Sequence, residues 1–204
     1  MTKHMRCFNH FMVDVETTGT RPDLNHVVEI AAIAFDYDTR EQHPEPFIIK
    51  LTKQGQPNRV VEASTIEWWK RQAPAVRLGV FENFTRQDLR LADQLREMHD
   101  WVFRVSDPNK PKIFWAKPVS FDYMFLQGLF KDAQVDFPFP AFWLTNDMRS
   151  HCMGLVAPFG ASYEEVEEEY HSYKPPRTNA HSSLADVQWQ LDWLKAVIQG
   201  VKNA

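Results

Sequence analysis

Cysteine is nearly absent: Cys7 and Cys152 are the two in 204 residues. So few thiols exclude a disulfide framework and point to a reducing compartment. Long apolar runs are missing as well. None approaches the ~20 residues that cross a bilayer. The opening MTKHMRCFNH holds no apolar signal core. The sequence therefore predicts no membrane association and a cytoplasmic location. The third absence is a basic excess. With a formal net charge of -4 at pH 7 and a pI of about 6.1, the chain does not read as one that coats nucleic acid through a basic surface. An enzyme that grips one end of a strand stays open, because bound divalent ions reverse the local field of an acidic cleft.

What is present suits a substantial core: 44% hydrophobic and 13% aromatic residues, with an ordinary 25% charged. No repeat or linker divides the chain, so a single domain over 1–204 is expected. Residues 8–16 and 26–36 read as long strands joined by the turn TTGTRPDLN, and PFIIKL at 46–51 as a third. A short helix capped by Ser64 or Thr65 follows. Leu91, Leu95, Met98 and Val102 recur at helical spacing within 87–105. Strand character returns at 112–117, and a helix starts near Ser120. Asn146 can cap another helix running to about Val156. YEEVEEEY reads as a solvated helix face or loop. Leu184, Val187, Leu191, Leu194 and Ile198 mark a final helix, with Ser183 and Asp186 at capping-box-like spacing. This order implies an α/β sandwich with a mixed sheet.

Within the first strand, FMVDVETTG sets two acids among apolar residues. Positions i and i+2 of a strand share a face, so Asp14 and Glu16 project together. Two such carboxylates repel, and one takes up a proton unless a cation sits between them. A hard divalent ion with oxygen ligands is the natural compensator. A solvated strand end is the plainer alternative. Asp122, in SFDYMFL, lies at a helix start, where capping alone accounts for an acid. His181 and Asp186, in HSSLAD, flank the start of the last helix. A loop histidine and a capping acid are the plain readings there.

Taken in order, the three segments resemble the motifs of the DnaQ-like superfamily of 3′–5′ exonucleases, DEDDh subgroup. Asp-x-Glu-Thr-x-Gly is matched by DVETTG, an aromatic followed by Asp by Phe121 and Asp122, and His-x4-Asp by HSSLAD. STIEWWKRQ is similar to the Thr-x-x-Trp-Trp-x-x-Gln segment of compact phage and bacterial exonucleases related to phage exonuclease A. The resemblance covers roughly residues 8–197. It implies a ribonuclease H-like fold, a central mixed β-sheet flanked by helices on both faces. It also implies release of nucleoside 5′-monophosphates from single-stranded DNA or RNA 3′ ends, in a bacterial cell or a phage-infected host.

By the same resemblance the cofactors are two divalent metal ions, Mg2+ with Mn2+ as a substitute, ~3.5–4 Å apart. Asp14 would bridge them, Glu16 and Asp186 would complete the site of the ion that activates water, and Asp122 would support the second. His181 would be the general base, a task suited to its ordinary pKa. Thr17, Thr18 and Gly19 would lie against the terminal nucleotide. Neighbouring helical positions point about 100° apart, so Trp68 and Trp69 cannot face the core equally. Trp69 is assigned to base stacking, with packing of both rings as the alternative, and Phe121 to the core. One departure is the loop WAKPVS, where relatives often carry Asn and Gly; Lys117 is assigned a phosphate-contacting role there. The sequence does not fix the oligomeric state, a homodimer being one option. A catalytically silent nucleic-acid-binding module and a phosphodiesterase acting on dinucleotides or small nucleotides remain as other readings.

Overall fold

The computed structural model describes residues 7–177 and 181–203. Strand β1 (His10–Thr17) and strand β2 (Val27–Phe35) pair antiparallel, and every residue of β2 is buried, as expected for a strand covered on both faces. With β3 (Phe47–Lys50), β4 (Ile113–Ala116) and β5 (Thr145–Asp147) they form one sheet in the order β3-β2-β1-β4-β5. The β1–β4 and β4–β5 pairs are parallel and the β2–β3 pair is antiparallel, so the sheet is mixed as expected.

The alternation of β1 sorts the two cores. Phe11, Val13 and Val15 face a core built with α3 (Leu91–Val105) and α4 (Val119–Asp132). Met12 faces the opposite core, built with α5 (Met148–Val156), α6 (Tyr163–Ser172) and α7 (Ser183–Asn203). Helices α1 (Ala63–Lys70) and α2 (Pro74–Val80) make a small third cluster around Val28, Trp69 and Val80.

Several boundaries differ from the sequence reading. Strand β5 is three residues long and largely polar, so no alternation betrays it. Asn146 lies inside it. The residue that caps α5 is Asp147, whose side chain accepts from the Ser150 amide at 2.8 Å. Neither Ser64 nor Thr65 caps α1: both hydroxyls donate to the Glu62 carboxylate, at 3.1 and 3.3 Å. The acidic tract is helix α6, closed by a capping box between Ser162 and Glu165. Residues 178–180, in the tract before His181, lie outside the described residues. Among the described residues no helix is long and apolar enough to cross a membrane.

Candidate active site

The parallel pairing of β1 with β4 ends at Met12 opposite Trp115, while β1 stays paired with β2 on its other edge through Thr17. The amide of Val15 therefore lacks a strand partner on that edge. Asp122, in the first turn of α4, supplies one: its Oδ1 accepts from Val15 N at 2.9 Å. Asp14 and Glu16 project from the same stretch of β1 onto the face that α7 covers. Asp186 meets them from the first turn of α7. Ligand oxygens of Asp14, Glu16 and Asp186 all lie within 4.8 Å of one another. Asp122 stands outside that set of three, although its charge acts on Asp14 and Glu16.

The electrostatics follow from this crowding. Burial pushes the Asp14 carboxyl well above the usual carboxylate range, and Asp122, Glu16 and Asp186 push the same way, against the Gln190 amide. Glu16 is raised chiefly by burial, then by Asp186, Glu29 and Asp122, with Arg177 opposing. Burial takes Asp122 up to about 8, although the Val15 amide favours its charged form. Such a site calls for a cation. One is already there: Arg177 donates to Asp186 from Nε at 3.1 Å and from Nη2 at 2.6 Å. An all-oxygen set of carboxylates whose crowding already draws in a guanidinium fits a hard divalent ion.

Three supporting residues escaped the sequence reading. Gln190 Nε2 donates to Asp14 Oδ1 at 2.9 Å. It stands four residues after Asp186, the helical spacing that shares a face. Glu29 pairs in register with Glu16, and its Oε1 accepts from Ser183 N at 2.9 Å and Ser183 Oγ at 2.7 Å. The expected capping box between Ser183 and Asp186 is therefore not formed, because each side chain is engaged elsewhere. An acid inside the otherwise apolar VVEIAAIAF was a visible signal for Glu29. Arg177 had none, lying in a Pro-rich tract. His181 adopts a left-handed backbone with φ 71, and its amide donates to Asp186 Oδ2 at 3.1 Å. The ring meets Trp68 edge to face, 4.7 Å between centroids. Its pKa lies below the ordinary value through burial and then Arg177, with Asp186 opposing.

A cavity of about 520 Å3 opens beside Glu16, lined by Thr17, Gly19, Thr65, Trp68 and Phe121 among others. Trp68 and Trp69 both line this cavity, but unequally. Trp69 is only 2% exposed, packs with Val28 and Val80, and donates its Nε1 to Thr17 O at 3.0 Å. Trp68 is the ring that flanks His181. Thr18 also departs from its assignment: it is fully buried, its hydroxyl accepts from His26 N at 3.0 Å and donates to Val60 O at 3.2 Å, and it closes the loop. Thr17 donates to Gly19 O at 2.6 Å. Gly19 is required by close approach, since a Cβ there would meet the Asn25 carboxamide at 2.2 Å. Phe121 is half-buried, packing on Phe125 while lining the cavity. Lys117 lies just past β4, with its ammonium 5.3 Å from the Trp189 ring centroid.

Comparison with known proteins places this geometry. The chain is similar to an exodeoxyribonuclease of Enterobacteria phage T4, 28% identical over 139 residues, which is 61% of this chain and 56% of that protein. The alignment thus spans little more than half of the relative. The fold matches Escherichia coli exonuclease I in a complex with a dT13 oligonucleotide, with a TM-score of 0.64 at 15% identity. That match covers 95% of this chain and 41% of the other. A zinc-bound complex of the same enzyme with single-stranded DNA gives 0.65 at 17% identity, over 96% and 41%. The fold is thus ribonuclease H-like. The family described as the 3′-5′ exoribonuclease Rv2179c-like domain matches residues 9–198, and the chain belongs to it.

Proposed function

We infer that this protein is a divalent-metal-dependent 3′–5′ exonuclease acting on single-stranded nucleic acid. The observation that carries the reading is the convergence of Asp14, Glu16 and Asp186 from two elements onto one point, with Asp122 and His181 beside them. Family membership and the exonuclease I fold support it. The T4 relative is named for DNA and the family for RNA, so both polymers belong in the substrate class.

In this reading Asp14, Glu16 and Asp186 would hold the metal, and Asp122 would support a second ion. Two such ions, Mg2+ by preference, would supply activation of water and charge relief on the leaving oxygen. The rest of the work falls to side chains. The His181 imidazole, kept neutral at pH 7 by its lowered pKa, accepts the proton of the attacking water. Trp68, its neighbour, fixes the ring and walls the cavity that takes the terminal nucleoside. Gln190 orients Asp14, and Glu29 anchors the start of α7. Arg177 donates to both Asp186 oxygens and would have to yield at least one of them to a metal held there.

Digestion of 3′- and 5′-labelled DNA and RNA oligonucleotides with Mg2+ or Mn2+ tests the reading. Nucleoside 5′-monophosphates should leave from the 3′ end, and a blocked 3′-hydroxyl should protect. Efficient cutting of a circular single strand would overturn it.

A further inference from the structure

Three and seven residues beyond Asp186, α7 carries Trp189 and Trp193, whose rings meet 4.9 Å apart. Both are fixed in place. Trp189 Nε1 donates to Pro175 O at 3.0 Å and Trp193 Nε1 to Tyr170 O at 3.2 Å. Three cations from two segments, the turn after β4 and the connection between α6 and α7, gather on this pair. Lys117, after β4, stands 5.3 and 5.2 Å from the two ring centroids. Lys174, after α6, stands 5.8 and 5.7 Å from them. The Arg177 guanidinium lies 4.9 Å from Trp189.

Attraction to the ring faces is weak at a partly exposed site, while the like charges repel one another. Burial lowers the Lys117 pKa, and Arg149, Arg177 and Lys174 lower it further; Asp147 alone opposes them. The two arginines are engaged, Arg149 with Glu167 and Arg177 with Asp186. Among the described residues Lys117 and Lys174 have no ion-pair partner. An anion is the missing component.

Position says which anion. Arg177 touches both Asp186 and Trp189, so the patch continues directly from the acids. The nucleoside-sized cavity is built from the end of β1 and from α1, which packs against β2 through Trp69 and Val28. The lysines come from the other flank of β1, where β4 lies. The acids stand between. We propose that Lys117 and Lys174, seated on the Trp189–Trp193 pair, form a subsite for the backbone phosphate one nucleotide to the 5′ side of the phosphate at the acids. This rests on the nuclease reading and extends it to a contact that fixes how the strand leaves the site.

The test is binding by the His181→Ala protein with Mg2+, which keeps every acid and slows hydrolysis. A single-stranded octanucleotide is titrated by fluorescence anisotropy between 50 and 200 mM salt. Adding Lys117→Gln and Lys174→Gln should weaken binding about tenfold, the scale of one charged hydrogen bond. The slope of log Kd against log salt should become shallower by about 0.7, the value for one phosphate of a single strand. A dinucleotide with a 5′-phosphate should feel the lysines, and one without it should not. Lys174→Glu, at an exposed position, gives the same comparison if the Lys117 change lowers the melting temperature. Unchanged affinity and slope in both variants would overturn the proposal. So would lysine-dependent binding of inorganic phosphate that leaves octanucleotide binding unaffected, because the patch would then be a free-anion site. Lysine-dependent oligonucleotide binding by a wild type that releases no mononucleotides would sustain the subsite and reject the nuclease reading alone.

Discussion

At the scale of single residues, the acids and the histidine should separate cleanly in kinetics. Asp14→Ala and Asp186→Ala each remove a proposed metal ligand, and turnover should fall to near background at saturating Mg2+. Retention of more than a tenth of wild-type kcat would count against the ligand assignment. His181→Ala should cost less, because general-base catalysis is worth about 10²–10⁴-fold and the acids remain. The wild-type rate should rise with pH through a histidine pKa that burial and Arg177 hold below the ordinary value. The variant should lose that limb, and a pH–rate profile identical in both proteins would remove His181 from the base role.

At the scale of elements, the site depends on where α7 begins. That start is pinned by Glu29 of β2, which takes both the amide and the hydroxyl of Ser183. Glu29→Ala should release the first turn of α7 and with it Asp186 and His181. Glu29→Gln keeps an oxygen acceptor and removes a charge facing Glu16. Hydrogen exchange at the Ser183 amide is the readout: protection should be lost in the alanine variant and largely kept in the glutamine variant, with activity following the same order. Equal protection in wild type and Glu29→Ala would show that α7 is held by its packing on β1 and β2 alone.

For the whole molecule, the raised carboxyls make metal-free stability depend on pH. Below about pH 6.5 the histidines that burial lowers, His10, His26, His151 and His181, work the other way, but from there up to about 8 for Asp122 the raised carboxyls leave the folded protein with more protons than the unfolded chain. Stability in EDTA should therefore fall as pH rises across that window. Asp14→Asn removes one of the repelling charges and should melt higher than wild type in EDTA at pH 7.5, with a shallower pH dependence. Millimolar Mn2+ should narrow or reverse that order, since a ligand at 100 times its Kd adds about 2.7 kcal/mol to the state that binds it. Melts of both proteins with EDTA and with Mn2+ check this. An Asp14→Asn protein less stable than wild type in EDTA would mean that the hydrogen bond from Gln190 outweighs the repulsion.

The sequence alone determined the elements with strong periodicity. The pattern of Leu91, Leu95, Met98 and Val102 forced α3, and the apolar runs of β1, β2 and β4 forced the sheet, because burial of a repeating face dominates local choice. It also made the acids visible, since Asp14 and Glu16 are expelled from an ordinary strand core. Short polar pieces stayed hidden: β5 is a strand through its pairing with β4, not through its own residues. Tertiary structure alone decided how Trp68 and Trp69 divide between cleft and packing, since that depends on how α1 sits over β2 and not on helical spacing. It decided as well that Thr18 closes a loop, that Asp122 serves the unpaired Val15 amide, and that Glu29 and Arg177 belong to the site. Those contacts join residues up to 154 positions apart, and packing across the sheet, which no local pattern encodes, brings them together.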